Sequence, residues 1–294
     1  MKKLILLFVF FSISIFTFSQ YSKGIVKESL TMDSKILGKQ VSYTIYLPFD
    51  YETSSRLYPV TYLLHGYSDN DMGWMQFGEV NLTADECIAN REIPPMIIAM
   101  PDGGVSFYIN NFDNSVRYED FFMQEFIPFI EKNYRIRAEQ RYRGIAGLSM
   151  GGFGALNFAL KYPDKFSSCV AFSAAIFSEE SMMASDEKGW GWILASLYGP
   201  YQEGAARLTK HYHQNNPFDI TAAKGKAAYN NLRLMLDCGD DDFLTDDNCR
   251  LHVHLNKLGI KHEFRMRDGA HTWTYWRTGL PAGLKFIGDS FHQF

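Results

Sequence analysis

Gly147-Leu148-Ser149-Met150-Gly151 places a serine between two glycines, each two residues away. An apolar strand-like run, Ile145 to Leu148, precedes it, and Phe153 to Tyr162 follows with helical apolar spacing. A serine on a sharp strand-to-helix turn is the nucleophile elbow, whose chemistry is attack on a carbonyl carbon. The flanking glycines are required because a Cβ at either position would collide with neighbouring backbone. Such a serine needs a base, and the base needs a group that orients it.

Downstream, the run Leu232 to Leu236 enters Asp237-Cys238-Gly239-Asp240-Asp241-Asp242-Phe243-Leu244, so carboxylates gather where a strand ends. The run His262 to Met266 leads into Arg267-Asp268-Gly269-Ala270-His271-Thr272-Trp273, a glycine-containing loop bearing a histidine. The order serine, acid, histidine is the one this architecture uses, and His271 is the expected base. The residues alone leave Asp240, Asp241 and Asp242 open as the acid. Two oxyanion donors are also needed. The backbone N–H of Met150 follows the nucleophile, and Leu64-His65-Gly66-Tyr67 offers the N–H of Tyr67 through a glycine turn, with His65 shaping that loop.

The remaining histidines carry less weight. His211 and His213, like His252 and His254, are two apart, a spacing that separates them on a helix. They are expected to be solvated, and neither pair to bind metal.

Several elements must position these groups. Strands are expected at 41–47, 60–64, 96–100, 145–148, 169–172, 232–236 and 262–266. Helices are expected at 118–133, 153–162, 246–258 and 282–291. Near-continuous apolar strands alternating with helices predict an α/β fold with a mostly parallel sheet covered on both faces. Residues 174–217 interrupt the rhythm with Phe177, Trp190, Trp192, Tyr198 and Tyr201, and read as a cap-like insertion.

The chain of 294 residues has the apolar content to bury a large core, and its formal charge of −4 argues against a nucleic-acid partner. Met1-Lys2-Lys3 followed by the apolar Leu4 to Phe18 and Ser19-Gln20 reads as a signal peptide, residues 1–20. Residues 21–294 are then one domain, secreted or periplasmic, with no membrane attachment after cleavage. The four cysteines match no disulfide scaffold, although Cys238 and Cys249 are the nearest pair should one form.

Together these motifs resemble the putative esterase family of the α/β-hydrolase superfamily. That family includes S-formylglutathione hydrolases, feruloyl esterases of carbohydrate esterase family one, and secreted mycolyltransferases. The likeness spans about Val41 to Phe286 and includes Met100-Pro101-Asp102-Gly103-Gly104 and His271-Thr272-Trp273-Thr274-Tyr275-Trp276. It implies an α/β-hydrolase fold and a serine esterase with Ser149, Asp242 and His271 as catalytic residues. The acid falls on Asp242 because relatives carry it in a Gly-x-x-Asp turn. The leader argues against the cytosolic thioesterases. Gly103-Gly104-Val105-Ser106-Phe107-Tyr108 is similar to a mycolyltransferase segment, but those enzymes lack the glycine pair and use glutamate.

The resemblance therefore implies an esterase releasing feruloyl or acetyl groups from plant polysaccharide. Phe107, Tyr108 and Trp273 are candidate substrate contacts, and no metal or organic cofactor is implied. The competing expectations are an acyltransferase of the mycolyltransferase type, an S-formylglutathione hydrolase-like thioesterase, and a non-catalytic carbohydrate-binding protein.

Overall fold

The computed structural model describes residues 23–291, without the side chain of Trp192. The signal-peptide expectation, 1–20, lies outside the described residues. Eight strands form one sheet: β1 (Ile25–Ser34), β2 (Lys39–Leu47), β3 (Val60–Leu64), β4 (Ile97–Pro101), β5 (Arg143–Leu148), β6 (Ser168–Phe172), β7 (Arg233–Gly239) and β8 (Glu263–Arg267). Their spatial order is β1-β2-β4-β3-β5-β6-β7-β8. β1 pairs antiparallel with β2 and β2 with β4, while β4 through β8 are parallel. This is the mostly parallel, helix-covered sheet that the strand pattern implied, and the α/β-hydrolase architecture that the resemblance implied.

The first helices are α1 (Gly73–Gln76), α2 (Val80–Ala89), α3 (Tyr118–Phe121), α4 (Ile127–Asn133) and α5 (Met150–Lys161). They are followed by α6 (Glu179–Ala184), α7 (Glu187–Tyr198), α8 (Lys210–Asn215), α9 (Pro217–Lys224), α10 (Thr245–Lys257) and α11 (Trp273–Phe291). The helix expected over 118–133 is α3 and α4 joined by a π-helical turn, Phe122–Phe126.

Strand side chains alternate between two cores, as the period of two requires. Val60, Tyr62, Leu64, Ile97, Ala99, Cys169 and Ala171 face one side, where α4, α5 and α10 pack. Leu63, Ile98, Met100, Val170 and Phe172 face the other, under α2 and α11. Every residue of β3, β4, β5 and β6 is buried, which explains why these strands read as continuous apolar runs.

Two expectations need correction. The final helix starts at Trp273, not 282, and carries Pro281 inside it. Gly279 and Gly283 let this helix lie close to the sheet, since a Cβ there would sit 3.1 and 2.6 Å from the Phe172 ring. β1 was absent from the sequence reading because it is an edge strand whose side chains are mostly exposed. No disulfide joins Cys238 to Cys249, and all four cysteines are free thiols. Among the described residues, no helix is long and apolar enough to cross a membrane.

Candidate active site

β5 ends at Leu148, α5 begins at Met150, and Ser149 between them has φ 52° and ψ −116°. This is a strained backbone for a residue with a side chain. The surroundings hold it there. Its N–H donates to the Phe172 carbonyl at 2.8 Å, and its carbonyl accepts from the N–H groups of Phe153 and Ala175 at 3.0 Å each. The glycines are sterically obligatory. A Cβ on Gly147 would stand 2.3 Å from the Gly151 carbonyl oxygen, and one on Gly151 would stand 2.4 Å from that of Leu64.

The acid and histidine loops follow adjacent parallel strands, β7 and β8, and are tied to each other. Asp240 N–H donates to the Arg267 carbonyl, Asp241 N–H to the Gly269 carbonyl, and Gly269 N–H to the Asp240 carboxylate. Beneath them, buried Asp237 accepts from Arg267 at 3.0 Å and from the Tyr275 hydroxyl at 2.6 Å. A buried carboxylate needs this set of partners to offset its desolvation.

These ties bring Asp242 and His271 together. His271 Nδ1 lies 2.8 and 3.0 Å from the two Asp242 oxygens, and Nε2 lies 2.9 Å from Ser149 Oγ. A proton on Nδ1 leaves the Nε2 lone pair facing the serine hydroxyl. Burial pushes the Asp242 carboxyl up. Hydrogen bonds from His271, the Leu244 N–H and Ser173, with the charge of His271, outweigh it and hold the group below its ordinary value. Asp242 therefore stays ionised beside the imidazole. Asp240 and Asp241 are exposed, and Asp240 is engaged in the loop tie.

Sequence reading missed three residues here. Trp276 stands edge-on to the His271 ring at 4.8 Å, and its indole N–H donates to Ser173 Oγ at 3.0 Å. Ser173 itself has φ 43° and anchors to the Asp237 carbonyl. The Phe243 ring lies 4.6 Å from that of His271, and Phe243 is 77% exposed. Nothing in the local sequence marks Ser173. Phe243 could have been singled out as an apolar residue immediately after an acidic run.

The loop after β3 packs against the elbow. A Cβ on Gly66 would lie 2.6 Å from Leu148 Cδ1 and 3.7 Å from Ser149 Cβ, so the chain passes next to the nucleophile. His65 is buried: Nδ1 donates to the Gly66 carbonyl and Nε2 accepts from the Gly103 N–H, both at 2.7 Å. These bonds fix one neutral tautomer and tie Gly66-Tyr67 to the Gly103 turn. Met150 is the first residue of α5, a position whose N–H has no acceptor within the helix. The Gly66-Tyr67 turn thus passes beside Ser149, and Met150 follows it at the start of α5.

The aromatic candidates separate by position. Tyr108 is wholly buried and its hydroxyl donates to the His65 carbonyl at 3.0 Å, so it supports the loop and presents no surface to a substrate. Phe107 is mostly buried among Tyr67, Phe153 and Phe177. Trp273 packs between Trp74, Phe77 and Trp276, partly open to solvent. The paired histidines are partly exposed and each also has a partner: His211 the Asn110 carbonyl, His213 Asp219, His252 His262, and His254 Thr221.

The family model for a putative esterase matches residues 34–287. The chain belongs to this family. An acetyl esterase of Caldicellulosiruptor saccharolyticus is 28% identical over 88% of this chain and 94% of its own. A solved ferulic acid esterase is 33% identical with a TM-score of 0.79, over 92% of this chain and 99% of its own. A diacylglycerol acyltransferase/mycolyltransferase Ag85A of Mycobacterium ulcerans is 24% identical over 90% of this chain and 82% of its own. The protein is a carboxylic ester hydrolase.

Proposed function

We propose that this esterase releases acetyl or feruloyl groups from polysaccharide or oligosaccharide through an acyl-enzyme on Ser149. The observation that carries the reading is the unbroken line from Asp242 through His271 to Ser149 Oγ, at 2.8 and 2.9 Å. Ser149 Oγ attacks the ester carbonyl as His271 Nε2 takes its proton. The ionised Asp242 holds the tautomer and stabilises the imidazolium. The N–H groups of Tyr67 and Met150 receive the oxyanion. The C–O bond to the alcohol then breaks, and His271 returns the proton to the departing alkoxide. Water, deprotonated by the same imidazole, opens the acyl-enzyme and frees the acid and the serine.

The substrate class rests on two supports: the acetyl esterase and ferulic acid esterase relatives, and the aromatic residues around the triad. Phe243, exposed beside His271, and the half-buried Tyr67 and Phe177, packed on Phe107, provide flat apolar faces of the kind an aromatic acid or sugar ring stacks on. We take residues 21–294 as one domain whose insertion, 174–217, borders this site, and the leader as an export signal.

A substrate panel of methyl ferulate, acetylated xylan and short-chain nitrophenyl esters tests the reading, run with and without a sugar acceptor. Turnover of ferulate or xylan esters above the nitrophenyl background is expected, with free acid as product. Turnover of neither carbohydrate-linked class would overturn the substrate assignment. Acylated acceptor in excess of free acid would move the protein to the acyltransferases.

A further inference from the structure

Three helices away from the triad bring a mixed set of metal-ligating side chains together. Glu179 opens α6, His213 sits on α8 and Asp219 on α9. One ligand atom from each lies within 4.8 Å of the other two, and His213 Nδ1 stands 2.9 Å from Asp219 Oδ2. His213 and Asp219, with Lys161, Lys210 and Lys224 but without Glu179, line an open cleft of about 1360 Å³, so solvent reaches these two ligands. We propose that Glu179, His213 and Asp219 form a zinc-class divalent cation site that staples α6 to α8 and α9.

Buried polar groups build the frame of this cluster. Tyr212 and Asn216, 1% and 2% exposed, both donate to the Phe177 carbonyl at 2.9 and 3.0 Å, two residues before Glu179. They also bond to each other. Tyr212 adjoins His213 in sequence, and the Asn216 carboxamide caps α9 by accepting from Phe218 N–H. Ser178 caps α6 and Thr209 caps α8 in the same way. The segments carrying the three ligands are therefore held in register by hydrogen bonds that do not involve the ligands themselves.

Among the described residues, the Glu179 carboxylate makes no hydrogen bond or ion pair, leaving it available.

One imidazole and two carboxylates match zinc, with water as the fourth ligand. Calcium and magnesium prefer oxygen-only shells. Zinc bonds of about 2.1 Å put tetrahedral ligands about 3.4 Å apart, so His213 Nδ1 and Asp219 Oδ2 part slightly from 2.9 Å while the exposed Glu179 rotates into place. The two carboxylates with a neutral imidazole balance the dication. The spacing of His211 and His213 gave no such signal because the partners come from other helices.

The test is chelator-treated full-length protein titrated with Zn²⁺ by calorimetry, alongside thermal melts with and without the metal. One equivalent should bind, and Zn²⁺ should raise the melting temperature, since a ligand of the folded state stabilises it. His213→Ala and Asp219→Asn should each weaken binding at least about tenfold and abolish the thermal shift. His252→Ala, which breaks the other close histidine contact, should leave both intact. Circular dichroism of the metal-free variants checks that they are folded, and Asp219→Asn serves alone if His213→Ala is not. Absence of stoichiometric binding to the wild type, or binding unchanged in the cluster variants, would overturn the site. Because its readouts are binding and melting, this result is independent of the esterase reading.

Discussion

Replacing Asp242 by Asn tests the acid assignment most sharply, and the structure supplies the reason for its size. Asp242 Oδ1 accepts the Leu244 N–H at 2.9 Å, while Oδ2 is the oxygen nearer His271 Nδ1, at 2.8 Å. An asparagine keeps its oxygen toward Leu244 and so turns its NH₂ toward Nδ1. Two N–H groups cannot share that line. Nδ1 must become the acceptor, the ring proton moves to Nε2, and Ser149 faces a donor instead of a base. Loss of a charge-assisted hydrogen bond costs about 1.5–3 kcal/mol, and the imidazolium loses its counter-charge as well. Together with the tautomer penalty this comes to about 4–5.5 kcal/mol of barrier, a fall of about 10³–10⁴ in kcat. The assay is kcat on a short-chain nitrophenyl ester, with Asp240→Asn and Asp241→Asn in parallel. Both neighbours are exposed and should stay within about threefold of wild type. Retention of more than a tenth of kcat in Asp242→Asn, or a larger loss in either neighbour, would refute the reasoning.

Other predictions follow from the same geometry. Gly151→Ala drives a Cβ against the Leu64 and His65 carbonyls, so it should cost about 3 kcal/mol or more, read as a lowered melting temperature or loss of soluble protein. Tyr275→Phe removes the 2.6 Å bond to buried Asp237 and should destabilise by about 1–3 kcal/mol in urea unfolding. Asp242 is held below its usual value of 3.8, so its contribution to stability is present above that pH and is lost as pH falls through the depressed value. The melting-temperature gap between wild type and Asp242→Asn should therefore narrow in strongly acidic buffer, and a gap that widens there would contradict this.

Legibility followed burial. Strands buried on both faces, such as Val60–Leu64 and Ser168–Phe172, read as apolar runs, whereas the exposed edge strand Ile25–Ser34 left no period to detect. The start of α11 was hidden because Gly279 and Pro281 look like breakers. Both are tolerated, Gly279 because it allows close approach to Phe172. Ser149 and His271 stood out because strain and loop chemistry restrict which residues fit there. Asp242 could be chosen from three consecutive aspartates only through resemblance, since the selecting contacts, Leu244 N–H and His271, are set by folding. Tyr108 looked like a pocket residue in sequence, yet its hydroxyl is spent on the His65 carbonyl. The contact between Ser173 and Trp276 was invisible because it spans 103 positions. The partners of His211 and His254, Asn110 and Thr221, come from distant segments and show the same limit.

The central claim is that Ser149 carries the acyl group. Mass spectrometry of the protein quenched in acid during turnover of a slowly hydrolysed aromatic ester measures this directly. The account predicts a single acyl adduct on the peptide containing Ser149, accumulating further in a variant slowed at deacylation and absent, with turnover, in Ser149→Ala. An adduct on another residue, or turnover undiminished in Ser149→Ala, would contradict it.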